Sequence, residues 1–312
     1  MDAGRRGFLS SALAGTVSGA VSGTVSGAGA GPTAGSAGTA STGAAAGGHV
    51  PPGYRLSFSD EFDATDTARF NENASGGRPG APAWRSRYRH ERHTVINSEK
   101  QVYVDAAYAG SAGAPLGLQP FSIGHSVLTI SAQRLSAAHA AHLGGQRYAS
   151  GCITTELTFW QRYGYFEMRA RMPVGRGFWP AFWLLPKSAA WPPEIDIVEA
   201  SGARPRGVHV GVIEKHRTPA QPGGRWIDDV IDTTDGFHTY AAEWTVDDVA
   251  FSIDGQVQFR SGRHQMHEPM YLLANLAVGS HDASWVPDPD ASTPWPGRFA
   301  IDHIRVYTRE AP

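Results

Sequence analysis

The sequence has 312 residues, a formal net charge of −2 and 41% hydrophobic residues. This composition is that of a globular protein and leaves room for one large domain or two small ones. The nearly balanced charge excludes the strongly basic surface that nucleic-acid binding requires. There is one cysteine, Cys152, so an internal disulfide is excluded as well.

The first 30 residues resemble an export signal rather than part of a fold. Arg5 and Arg6 stand before a weak apolar run, "GFLSSALAG", that continues in Ala, Gly, Ser, Thr and Val. The run is too poor in large apolar side chains to span a membrane. We therefore expect residues 1–30 to be a twin-arginine-type signal for secretion or delivery to the periplasm, with a Gly/Ala-rich leader as the alternative. Residues 31–50 are predicted to be a Gly/Ala-rich linker.

From residue 51 onward the sequence predicts strand after strand. Short apolar or alternating runs are separated by Gly, Pro or Asp-Gly signals, and "SIDGQVQF" indicates a hairpin. Only residues 136–143 favour a short helix. About a dozen strands at this spacing are typical of a two-sheet antiparallel sandwich. The sequence therefore predicts one all-β domain over residues 51–312.

Three acids stand in the apolar frame "EIDIVE": Glu194, Asp196 and Glu199. Side chains alternate along a strand, so Glu194 and Asp196 share a face while Glu199 should point the other way. A β-bulge at Ile197 or Val198 would return Glu199 to the first face. The two Glu carboxyls would then be about 5 to 6 Å apart, which is the separation found in retaining glycosidases.

Crowding these acids together should raise the pKa of at least one of them, as a general acid requires. A metal cluster or a solvated acidic edge is the alternative explanation. A solvated edge does not account for the flanking Ile195, Ile197 and Val198. A calcium site usually adds loop carbonyls and Asp or Asn side chains. The pattern therefore favours acid catalysis.

The motif resembles the signature of glycoside hydrolase family 16 in its bulged E-x-D-x-x-E form. Four further blocks match in order, namely "LSFSDEF", "YGYFEMRARMPVGRGFWPAFWLLP", "HTYAAEWTVDDVAFSIDG" and "IDHIRVY". The resemblance implies a concanavalin A-like β-jelly roll with a cleft on its concave sheet. It also implies a retaining mechanism with Glu194 as nucleophile and Glu199 as acid/base, while Asp196 tunes Glu194.

The segment from "FWPAFWLLP" to "WPPEIDIVEASG" is most similar to bacterial members that cut β-1,3/1,4-linked glucans or exopolysaccharides such as succinoglycan. Members that cut laminarin or agar share the bulged form. We therefore expect an exported, monomeric, endo-acting β-glycanase that acts on a polysaccharide without a catalytic cofactor. A lectin-like sandwich that binds without cutting, and a transglycosylase or agarase with the same acids, stay open as alternatives.

The resemblance also implies residues that bind sugar. In "NSEKQVYVD" three polar residues alternate as in a strand, and this segment resembles one that lines the donor side of the cleft. Aromatic rings stack on the C–H faces of sugars, so the two tryptophans of "FWPAFWLLP" are candidates, with core packing as the alternative. The expected sugar-binding residues are Asn97, Glu99, Gln101, Trp179, Trp183, His209 and Asn275, whereas Trp160, Trp226 and Trp244 are expected to be structural.

A structural calcium ion on the convex side is the last feature that the resemblance implies. The matching residues are Glu61 in "SDEF" and Asp302 in "AIDHIRVY". Backbone carbonyls would complete the coordination shell.

Overall fold

The computed structural model describes residues 49–74, 77–78, 81–89, 91–92, 97–215, 223–280, 282 and 284–309. The predicted signal over residues 1–30, and the linker up to residue 48, lie outside the described residues. Within the described part of the chain no helix is long and apolar enough to cross a membrane.

The described chain is almost entirely β-structure. Its helical elements are a 3₁₀ turn, Thr67–Arg69, and a helix, α1, Ala137–His142. The strands are β1 Tyr54–Asp60, β2 Phe70–Asn71, β3 Gly77–Arg78, β4 Ala81–Pro82, β5 Trp84–Arg85, β6 Gln101–Tyr103, β7 Phe121–Gly124, β8 Val127–Arg134, β9 Tyr148–Ser150, β10 Cys152–Thr154, β11 Gly164–Arg171, β12 Phe178–Pro186, β13 Glu194–Ala200, β14 Gly207–Ile213, β15 Gly224–Asp228, β16 His238–Trp244, β17 Val249–Ile253, β18 Gln256–Arg260, β19 Met270–Val278 and β20 Gly297–Arg309.

The strands form two large sheets, so the predicted all-β jelly roll is confirmed. The ten-stranded sheet has the order β18-β17-β16-β11-β20-β8-β9-β6, with β1 on β20 and β7 on β8. The eight-stranded sheet has the order β15-β14-β13-β12-β19-β10-β5-β2, and β3 and β4 pair separately. Pairing is antiparallel except between β6 and β9 and between β2 and β5. The predicted antiparallel sandwich therefore carries two short parallel pairs.

Two local predictions are confirmed in detail. The Ser136 side chain caps α1 by accepting a bond from the His139 amide, as Ser does at helix starts. Asp254 and Gly255 join β17 to β18 with φ values of 48° and 77°, the left-handed conformations that a two-residue hairpin turn requires.

The apolar core lies between the two large sheets. Phe178, Phe182 and Leu184 of β12 pack in it with the even-numbered residues of β19. Because side chains alternate along a strand, the odd-numbered residues of β12 and β19 lie on the opposite face of the eight-stranded sheet. We call this opposite face the site face. It carries Trp179, Trp183 and Asn275.

Candidate active site

A β-bulge puts all three acids of β13 on the site face. On β12, Trp183 faces Asp196 and the adjacent Phe182 faces Val198, so Ile197 is the extra residue. On β14 the register shifts in the same interval, between Asp196 and Glu199. Ile197 and Val198 are both buried in the core. The predicted bulge is therefore confirmed, whereas the carboxyl separation of about 5 to 6 Å stays a prediction.

Glu194 and Asp196 form a coupled pair at the start of the strand. The pKa of Glu194 is raised to about 7, because burial and the charge of Glu199 raise it by more than the hydrogen bonds from Asp196 and Trp191 lower it. Burial and the charge of Glu194 raise the pKa of Asp196 well above its usual range. Two adjacent carboxyls in such a site share one proton. When the pair holds one proton, Asp196 is the member that keeps it, because the hydrogen bond between the two groups raises the pKa of Asp196 and lowers that of Glu194.

Glu199 has a different set of neighbours. The Trp179 indole Nε1 donates a hydrogen bond to Glu199 Oε1 at 3.0 Å. His209 Nδ1 lies 3.2 Å from Glu199 Oε2, and its role depends on the imidazole tautomer. In one tautomer Nδ1 donates to the carboxylate, and in the other it accepts the proton of the acid. An acid/base residue passes through both of these states in one catalytic cycle.

An aromatic wall made of His209, Trp226 and Trp285 lies beside Glu199. The Trp285 ring is 4.7 Å from the ring of His209, 5.0 Å from that of Trp226 and 6.2 Å from that of Trp179. Trp226 faces His209 in the register of β14 and β15. Both Trp226 and Trp285 are partly exposed. The expectation that Trp226 packs structurally is therefore incomplete, and Trp285 was not predicted from the sequence.

Hydrogen bonds connect the predicted sugar-binding residues beyond Trp183. Trp183 Nε1 donates to Asn275 Oδ1 at 2.8 Å, and Asn275 Nδ2 donates to Tyr103 Oη at 3.1 Å. Tyr103 Oη donates to Glu99 Oε2 at 3.3 Å. Tyr88 stands over this row, with its ring 5.7 Å from that of Trp183. Sequence patterns did not indicate Tyr88 or Tyr103, because neither belongs to a long periodic strand.

The segment 97–101 is not one continuous strand. β6 begins only at Gln101, and Ser98 has a φ of 54°, which interrupts an extended chain. Gln101 is fully buried, donates to Glu99 Oε2 at 2.7 Å and accepts a bond from the Val278 amide at 2.7 Å. The prediction that Asn97, Glu99 and Gln101 form a polar stripe on one strand face is therefore wrong. Gln101 joins β6 to β19, Glu99 reaches the tyrosine row, and Asn97 is partly exposed before the interruption.

The other tryptophans divide between core and surface. Trp244 is fully buried, as expected, whereas Trp160 is 39% exposed. Lys187 Nζ lies 3.5 Å from the centre of the Trp160 ring. The structural expectation is therefore confirmed for Trp244 and wrong for Trp160.

The residues proposed for calcium are already paired with cations. Arg305 donates to both carboxylate oxygens of Glu61 at 2.8 and 2.6 Å. Asp302 Oδ2 lies 3.1 Å from Arg169 Nη1 and 3.0 Å from His303 Nδ1. Among the residues that the structure describes, no cluster of three or more His, Cys, Asp or Glu is arranged to hold a metal. The side chains of Glu61 and Asp302, as they are paired here, do not fit a calcium shell.

A family comparison identifies this arrangement. The model of glycosyl hydrolases family 16 matches residues 122–305, which include the bulged strand and the aromatic wall. The chain belongs to this family. The family's glycanases need no cofactor for catalysis.

Several curated relatives are known by activity. The chain is 36% identical over 264 residues to the endo-1,3-1,4-beta-glycanase ExsH of Rhizobium meliloti, and these cover 81% of this chain and 52% of ExsH. It is 32% identical over 279 residues to a beta-glucanase of Rhodothermus marinus, with coverage of 82% and 86%. The chain therefore spans about half the length of the Rhizobium protein and most of the Rhodothermus one.

Solved structures agree with the fold. The laminarinase catalytic domain of Thermotoga maritima superposes with a TM-score of 0.65 at 26% identity, covering 83% of this chain and 99% of that one. The laminarinase of Rhodothermus marinus superposes with a TM-score of 0.63 at 31% identity, covering 81% and 97%.

Proposed function

We propose that this protein is an endo-acting retaining β-glycanase that hydrolyses β-1,3/1,4-linked glucan or a related bacterial exopolysaccharide. The observation that carries the proposal is the placement of Glu194, Asp196 and Glu199 on one face by the bulge in β13. The names of the relatives from Rhizobium and Rhodothermus support the substrate class.

The two glutamates would act in a double displacement. Glu194 attacks the anomeric carbon while Glu199 donates a proton to the leaving oxygen, which gives a covalent glycosyl-enzyme. Glu199, now a carboxylate, then takes a proton from water as the water attacks the anomeric carbon and releases Glu194. Asp196 keeps its proton and donates a hydrogen bond to Glu194. The product keeps the β configuration because the centre inverts twice.

Neutral glucan is the substrate that the site face favours. The tryptophans provide stacking surfaces, and Asn275 and Glu99 provide groups that hydrogen-bond hydroxyls. A sulfated chain carries repeated charge and would require several cations along the cleft. On the site face Arg85 and Arg89 are both engaged by Glu156.

The decisive experiment measures reducing ends released from barley glucan, laminarin, agarose and succinoglycan. We expect cleavage of barley glucan, laminarin or succinoglycan, with mixed oligosaccharides as early products. Proton NMR of the fresh products should show the β-anomer first. A fresh α-anomer would contradict retention, and release of only mono- or disaccharides would contradict endo action. Binding without cleavage would favour the lectin-like alternative, and longer products in the presence of added oligosaccharide would favour a transglycosylase.

We also propose that the protein is exported through residues 1–30 and acts as a monomer outside the cytoplasm. Arg5 and Arg6 before the weak apolar run support export. Replacing both arginines by lysine should leave the precursor inside the cell, and normal export of that variant would contradict the signal. Size-exclusion chromatography with light scattering measures the oligomeric state.

The ion pairs of Glu61 and Asp302 argue against the structural calcium ion that the sequence resemblance implies. Chelation tests it directly. We expect the unfolding temperature to be the same in EDTA and in calcium chloride, because Arg305 and Arg169 already neutralise these carboxylates. A clear rise of the unfolding temperature with calcium would show that a metal site exists.

A further inference from the structure

The loop before the catalytic strand brings Trp191 to Glu194. The loop connects β12 to β13 over residues 187–193 and is tied to the chain before β19. Lys187 N donates to Pro269 O at 2.9 Å, and Ser188 Oγ donates to Glu268 Oε1 at 3.0 Å. At the end of this loop the Trp191 indole Nε1 donates to Glu194 Oε2 at 2.7 Å, although Trp191 is 49% exposed.

The residues next to Glu194 explain why a side chain supplies this donor. Pro192 and Pro193 precede Glu194, and proline has no backbone N–H to offer a carboxylate. Indole nitrogen donates hydrogen bonds and does not accept them. Its bond to Glu194 is therefore strongest when Glu194 is ionised, because a carboxylate is a better acceptor than a carboxylic acid.

We propose that Trp191 is a positioning residue for the nucleophile, which it holds in the attacking orientation and in the ionised form through its indole N–H. This inference rests on the proposed function, in which ionised Glu194 attacks the anomeric carbon. It gives a chemical role to a half-exposed tryptophan outside the strand. Asp196 donates a hydrogen bond to Glu194 from the same strand, and Trp191 donates one from the loop.

The groups around Glu194 determine how strongly its charged form is disfavoured, and the Trp191 hydrogen bond acts against that effect. On β13 these are Asp196, which hydrogen-bonds to Glu194, and Glu199, whose charge disfavours a second carboxylate. From β19, Tyr271 faces the pair and stays neutral, because burial raises the pKa of its phenol. On β14, Ile213 pairs with Glu194, and the next residue, Glu214, accepts a bond from the Gln265 amide. Burial and Glu199 thus disfavour the charge on Glu194, while hydrogen bonds from Asp196 and Trp191 favour it.

The test replaces the N–H while keeping an aromatic ring. In Trp191→Phe we expect the acid limb of the pH profile of kcat/KM to move up by about 0.5 to 1 pH unit. Loss of one hydrogen bond to a charged group corresponds to about one unit or more, and water replaces part of it at a half-exposed site. At pH 5, below the acid limb, kcat/KM of the variant should therefore be about threefold to tenfold lower than that of the parent protein at the same pH.

Two further variants separate the N–H from the ring. Substitution of Trp191 by benzothienylalanine, which has sulfur in place of the indole N–H, should give the same shift in a protein of the same shape. Trp160→Phe is the matched control, because Trp160 is also an exposed tryptophan but packs on Lys187. It should leave the acid limb where it is in the parent protein.

The outcomes distinguish this inference from the proposed function. If the parent protein cleaves no β-glucan or exopolysaccharide, the proposed function fails. If the parent protein cleaves glucan and the folded Trp191→Phe and benzothienylalanine variants keep its acid limb, the role of Trp191 is overturned while the function stands. Circular dichroism and unfolding temperature establish that each variant is folded.

Discussion

The two ends of the catalytic strand differ in how they treat a carboxyl group. At the start of β13, Glu194 shares a proton with buried Asp196 and receives one indole donor from a loop. Five residues later, Glu199 receives an indole donor from β12 and faces the imidazole of His209. The first end crowds acids together, whereas the second encloses one acid with aromatic rings.

Under the proposed retaining mechanism, this difference explains how one strand can hold two glutamates with different roles. A nucleophile must stay ionised, and a second acid that keeps the shared proton makes this possible at Glu194. An acid/base residue must exchange its proton in each cycle, and His209 can bond to Glu199 in both states. The bulge gives the two residues a common face, and their neighbours give them different chemistry.

The largest expected effect separates the two ends directly. Glu194→Gln and Glu199→Gln should each lower glucan hydrolysis by roughly four orders of magnitude, because each removes a group that makes or breaks bonds. With an activated aryl β-glycoside and azide, Glu199→Ala should give a β-glycosyl azide, since Glu194 still forms the intermediate. Glu194→Ala should give the α-azide by a single displacement.

Product configuration is measured by proton NMR of the anomeric centre. The reverse pattern of azides would exchange the two roles. Near-native turnover of folded Glu194→Gln would remove Glu194 from the mechanism altogether.

The sequence alone predicted most of the residues at the Glu194 end of β13 and some of those at the Glu199 end. The spacing of Glu194, Asp196 and Glu199 predicted the bulge, because period-two alternation leaves no other way to put three such acids on one face. Trp179 and Trp183 were found because four residues along a strand return to the same face. Periodicity of this kind determines which face of a regular element a residue occupies.

The missed residues lie where periodicity carries no information. Trp285 follows β19 in a loop, and Tyr88 precedes β6 in another, so their approach to the site face depends on long-range packing. The segment 97–101 looked like an alternating strand, but Ser98 adopts a left-handed conformation and Gln101 turns inward. Likewise, the ion pairs of Glu61 and Asp302 depend on register between distant strands.

A smaller effect is expected at the aromatic wall beside Glu199. The sugar that leaves with the protonated oxygen must lie next to the acid, where Trp226 and Trp285 offer stacking surfaces. Trp226→Ala and Trp285→Ala should therefore lower kcat/KM for a glucan oligosaccharide about tenfold, for roughly 1.4 kcal/mol of lost stacking. An aryl glycoside has no leaving sugar and should be cleaved at nearly the parent rate.

The ratio of the two rates for each variant is the measurement that checks this. Trp160→Ala is the matched control, because Trp160 is exposed but lies against Lys187 rather than against Glu199. Equal losses on both substrates would place the wall on the donor side of the cut bond and would contradict the division between the two ends.

The smallest expected effect concerns the free energy of unfolding, which the buried Asp196 at the start of β13 lowers. Burial raises the pKa of Asp196 well above its usual range, so the folded protein keeps a proton that the unfolded chain releases near pH 4. The free energy of unfolding therefore falls as the pH rises above about 4 and continues to fall up to the folded-state pKa.

Asp196→Asn keeps a hydrogen-bond donor beside Glu194 and removes this loss of stability. Its unfolding temperature should match the parent near pH 4 and exceed it at pH 8 by about 2 to 4 °C for each kcal/mol gained. Calorimetry at both pH values measures the gap, with Asp288→Asn as an exposed control, and a gap that does not grow with pH would show that Asp196 is ionised in the folded protein.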